Sequence, residues 1–113
     1  MPLSEEERSH IGQEIQSEYV AALKEAQVYD IALKYLGSLG AIENCLHHPD
    51  EEEAKRLVGE CIIIARKKSV SDDIIRTVLT LSLQAYQTGC DQGLYDLHTF
   101  DESELLGASH DSG

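Results

Sequence analysis

Apolar residues recur at spacings of three and four along three long stretches of this chain, and no stretch alternates apolar with polar as a half-buried strand would. The pattern predicts an all-α fold, a small helical bundle with a long N-terminal helix, two shorter helices and an acidic C-terminal tail. Ser4 and Glu7 are spaced as a capping box, and Glu5 and Glu6 bring negative charge to the amide end of the first helix. No proline follows until Pro49, and Gly37 with Gly40 supplies a stop, so one helix is expected over 5–36. At roughly 1.5 Å per residue it would span about 48 Å. Ile11, Ile15, Tyr19, Ala22, Ala26, Tyr29, Leu33 and Leu36 share one stripe along it. Val20, Val28, Ile31 and Tyr35 lie about opposite, so its later half asks to be covered on two sides.

Residues 41–47 are expected to form a short helical turn. Pro49 suits the first position of a second helix, with His48 or Asp50 near the cap, acids from Asp50 to Glu53 in the first turn and Arg66, Lys67 and Lys68 in the last. Its apolar face is Ala54, Leu57, Val58, Cys61, Ile62, Ile64 and Ala65. A third helix is expected from Ser71 to Gly89. Ile74, Ile75, Val78, Leu79, Leu81, Leu83, Ala85 and Tyr86 cover about half its circumference, which marks it as the central helix. Residues 1–90 therefore read as the bundle domain. Residues 91–113, with six acids and no Lys or Arg, read as an acidic, partly disordered tail.

Charge narrows the functions. Twenty-one acids against nine basic residues give a net charge of −12, which repels nucleic-acid phosphates and anionic lipid and favours a partner with a basic surface. With no apolar run long enough to cross a bilayer and no leader pattern, a cytoplasmic location is expected. Cys45, Cys61 and Cys90 stand 16 and 29 apart, spacings of neither a disulfide framework nor a zinc motif, so reduced thiols are expected.

Candidate chemistry is sparse. Cys45, His47, His48, Asp50 and Glu51 are all metal-ligand types, but adjacent histidines tend to diverge and paired ligand spacings are missing. Nor does any Ser or Cys stand in a recognisable nucleophile and base pattern. No metal, cofactor or catalytic residue is assigned. Association is the stronger expectation. Two later helices, each about 25 Å long, would leave part of a 48 Å rod uncovered. A second copy is the economical cover, with Ile11, Ile15, Tyr19, Ala22 and Ala26 at a homodimer interface. Leu94, Tyr95, Leu97, Phe100, Leu105 and Leu106, set among acids, form a candidate partner-binding segment, whose alternative is packing onto the bundle itself. The expected function is a small acidic protein–protein interaction module, regulatory or adaptor in type. The alternatives are an acidic inhibitor of the immunity type occupying a basic site on a nucleic-acid enzyme, or a metal-binding or catalytic bundle assembled between subunits.

Overall fold

A computed structural model describes residues 2–95 and 98–110, with side chains through residue 106. Among the described residues every regular element is helical: α1 (Glu5–Glu25), α2 (Tyr29–Lys34), a 3-10 turn (Leu39–Ala41), α3 (Ile42–Cys45), α4 (Glu51–Lys67), α5 (Asp72–Asp91) and α6 (Glu102–His110). The all-α architecture with a long first helix is as the periodicity predicts.

The capping box forms: Glu7 N donates to Ser4 Oγ and Ser4 N donates to Glu7 Oε1, both at 3.1 Å. The helix does not reach residue 36. Gln27 turns left-handed at φ +62°, Val28 N donates to Leu23 O at 2.9 Å, and Gln27 N donates to Lys24 O at 3.0 Å. These two bonds satisfy the last carbonyls of α1 in a Schellman arrangement, and Val28, 5% exposed, supplies the apolar contact that accompanies it. The same device ends α4, where Ser69 has φ +67° and Val70 N donates to Ala65 O, and α5, where Gly93 has φ +78° and Leu94 N donates to Gly89 O.

The break changes the arithmetic of cover. At 21 residues α1 matches the 20 of α5, and the two pack side by side with Ile15 and Tyr19 buried. Tyr19 O–H donates to Ser82 Oγ at 2.8 Å, and Ser82 O–H donates to Val78 O at 2.7 Å, so this buried polar pair is satisfied. The expected surplus of greasy surface on the first half of a continuous rod is absent at these two positions.

After α2 the chain folds inward. Leu39, Ile42 and Leu46 have no exposed surface, so the short turn expected over 41–47 packs its apolar face into the core, with Asn44 exposed on the other. Gly40 permits this entry, because a Cβ there would stand 2.6 Å from Ala32 O and 2.8 Å from Leu36 Cδ2. Asp50 is the cap of α4, accepting from Glu52 N and Glu53 N, so Pro49 precedes the cap rather than opening the helix. The buried stripe of α4 is Ala54, Val58, Cys61, Ile62 and Ala65; Ile64 falls to its side and is 38% exposed. Helix α5 is central, packing on α1, α3, α4 and α6, and runs past Gly89. The lack of a side chain at Gly89 makes room there for the ring of Tyr95.

Candidate interaction surface

The two candidate contact sets from the sequence fare differently in space. On α1, Ile15 and Tyr19 are core, Ile11 is partly buried against it, Ala22 borders a groove and Ala26 is exposed at the helix end. They do not form one exposed stripe. In the carboxy-terminal segment, Leu94 and Leu105 are buried, and Tyr95, Phe100 and Leu106 pack against the core; Leu97 lies outside the described residues.

That segment is held to its own bundle by aromatic and polar contacts. Tyr95 stacks on His47 with centroids 3.9 Å apart and lies parallel to Tyr86 at 5.7 Å, while Phe100 meets Tyr86 edge-on at 5.4 Å. His47 Nε2 donates to Glu43 Oε1 at 2.7 Å, which gives the 6%-exposed Glu43 carboxylate its partner. His98 N donates to Tyr86 Oη at 3.0 Å, its Nε2 donates to His48 O at 2.7 Å, and Thr99 N donates to Glu51 Oε1 at 2.6 Å. Thr80 Oγ1 donates to Glu102 Oε1 at 2.9 Å and fixes the start of α6. Arg8 donates to Leu94 O at 2.8 Å from α1. His47, the His48 carbonyl and Glu51 thus tie this segment to the bundle, while the His48 ring and Asp50 serve the turn and cap at the start of α4. Among the described residues no three His, Cys, Asp or Glu side chains converge as a metal site.

Among the grooves that the described residues leave open to solvent, two run along α1 where it packs on a neighbouring helix. The one between α1 and α5, about 220 Å³, is bordered by Ile15, Glu18, Ala22, Gln84, Ala85 and Thr88, and Tyr19 also lines it. Burial raises the pKa of the Tyr19 phenol, opposed by its hydrogen bond with Ser82 and reinforced by the Glu43 carboxylate.

The second groove lies between α1 and α2, about 120 Å³, and its lining includes Tyr19, Val20, Leu23, Ala32, Leu33 and Leu36. Leu33 is 49% and Leu36 59% exposed, two of the three large apolar side chains most open to solvent among the described residues. The stripe that sequence placed on one long helix supplies these leucines, but the break at Gln27 swings them onto a separate corner. Lys24 Nζ stands 4.9 Å over the ring of Tyr29, which lines this groove and is followed by Asp30, while Lys34 and Lys68 each stand 5.5 Å from the centroid of Tyr35, outside its lining. The acidic runs of the chain lie elsewhere, at the starts of α1, α4 and α5. Sequence reasoning missed the corner because it assigned Leu33 and Leu36 to a continuous rod. The available signal was Val28, an apolar residue that fits the position after a left-handed stop.

No helix among the described residues is long and apolar enough to cross a membrane. No protein-family model, curated protein or solved structure matches the chain.

Proposed function

We propose that this chain is a small non-catalytic protein-interaction module, regulatory or adaptor in type, that docks through the apolar corner between α1 and α2 and takes a second copy of itself as occupant. The observation that carries this reading is the exposure of Leu33 and Leu36 beside an apolar groove, in a bundle whose other large side chains are mostly sheltered. A self-complementary patch with knobs next to a hole suits two-fold association, the commonest symmetry of soluble oligomers.

Sedimentation equilibrium of the wild-type chain and of the Leu33→Glu, Leu36→Glu double variant tests this. A wild-type dimer and a monomeric variant with unchanged helicity are expected. A wild-type monomer throughout the micromolar range, or a variant that dimerises as well as wild type, overturns docking of a second copy at this corner. In the monomer case, crosslinking in native extract with both chains tests the broader module reading: a partner held by wild type and lost by the variant retains it, and no such partner removes it.

A further inference from the structure

Two of the three cysteines, far apart in sequence, meet in the fold. Cys45 closes α3, Cys61 lies on the buried face of α4, and their sulfurs are 3.8 Å apart. A disulfide requires about 2.05 Å, so the remaining gap is less than about 2 Å and is shared between two side chains. Cys45 is the last residue of its four-residue helix and is followed by a turn, whereas Cys61 lies in the middle of α4. Exposure divides the pair. Cys61 is 7% exposed, while Cys45 is partly open to solvent.

Protonation divides it the same way. The Cys61 S–H donating to Cys45 Sγ holds the Cys45 thiol down to about 7, with His47 assisting, against the opposing effects of burial and the Glu60 carboxylate. The same bond, burial and the neighbouring Cys45 and Glu60 charges push Cys61 up. The reachable sulfur is therefore the one that carries thiolate near neutral pH, and the sheltered sulfur keeps its proton.

We propose that Cys45 and Cys61 form a peroxide-responsive thiol pair that closes to an intramolecular disulfide, with a hydroperoxide as the oxidant. The Cys45 thiolate attacks the terminal oxygen of the hydroperoxide; an S–O bond forms, the O–O bond breaks, and the leaving alkoxide or hydroxide takes a proton from solvent. Cys61 then attacks the Cys45 sulfenic acid. The S–S bond forms, the S–O bond breaks, and the departing hydroxide leaves as water with the Cys61 proton. Two thiols have given two electrons to one hydroperoxide, yielding a disulfide, an alcohol or water, and water. The bridge ties α3, and with it the turn that presents His47 to Tyr95, to α4.

The test uses the full chain treated with hydrogen peroxide, followed by peptide mapping under non-reducing conditions. A linked Cys45 and Cys61 peptide that is two hydrogens lighter, and is restored by dithiothreitol, is expected. In Cys61→Ser, oxidation should stop at a sulfenic acid on Cys45 that a cyclic diketone traps, and Cys45→Ser should yield neither product. Oxidation confined to Cys90, or cross-links between chains in place of the internal one, overturns the proposal. Because either serine enters a packed region, alkylation of the unaltered chain across pH runs alongside. Cys45 should react faster than Cys61 with a midpoint near 7, and a Cys45 midpoint at the ordinary thiol value of 9.0 overturns the assignment of Cys45 as the attacking sulfur.

Discussion

The end of the bundle around α3 and the end around α2 are made of similar materials and finish in opposite states. Each is a short helix, four residues in α3 and six in α2, flanked by turns and adjoined by apolar side chains such as Leu46 and Leu36. Around α3, Ile42 and Leu46 have no exposed surface: α3 packs on α4, α5 and the 3-10 turn, and Tyr95 stacks on His47 just beyond it. Around α2, Leu33 and Leu36 stay open and the two tyrosines are met by lysines. Composition does not separate the two ends; cover does. Neighbouring helices and the Tyr95 ring shelter the first region, and the second keeps apolar area in solvent, which the proposed second copy would bury.

Removing the cover should have the largest effect. Tyr86 is 2% exposed and holds the ring of Tyr95, the edge of Phe100 and the amide of His98. Tyr86→Ala should cost about 3–5 kcal/mol, as aromatic truncations in a core do, read from urea unfolding. A loss under about 1 kcal/mol would show that the segment contributes little to this end of the fold. Next comes Gly40→Ala, which forces a methyl against the Ala32 carbonyl and should destabilise by about 1–3 kcal/mol, with shifts in α2 resonances. Gln27→Gly should act in the opposite direction, raising stability by about 1 kcal/mol, because a left-handed residue without a Cβ escapes the steric cost. Thermal melts of Gln27→Gly and Ser69→Gly together separate this conformational gain from any special role of α2.

The smallest effect is a pH response at the start of α1. The bonds between Glu7 and Ser4, backbone amide first and hydroxyl second, hold the Glu7 carboxyl below its ordinary 4.5. A depressed folded value contributes stability above 4.5 that fades as pH falls through the lower, folded value. Ser4→Ala removes the hydroxyl but keeps the backbone amide, so it should reduce that slope without abolishing it and leave both bundle ends unchanged, as followed by amide exchange at residues 5–8.

What was legible in the sequence depended on how local the physics is. The caps at Ser4, Asp50 and Ser71 act within three residues of themselves, and all three form. Less visible was the break after Glu25, because Gln27 adopts a conformation that Gly or Asn usually supplies and its stability comes from Val28 packing into the core. Ile42 and Leu46 fall where the sequence predicts a short helical turn but not its burial, because burial of a four-residue helix is decided by elements far along the chain. The meeting of Cys45 with Cys61 is hidden for the same reason: no spacing of 16 implies contact until α3 is known to lie on α4. For the carboxy-terminal segment, Leu94, Tyr95, Phe100, Leu105 and Leu106 were recognisable as a contact set, but only the position of α5 and His47 shows which contacts the fold provides.

Amide hydrogen exchange of the wild-type chain at low and high protein concentration separates the two ends in one experiment. Docking of a second copy at the α1–α2 corner requires protection over residues 29–40 to rise with concentration while protection over 98–106 stays constant. Concentration-independent exchange over 29–40, or a rise confined to 98–106, would contradict it.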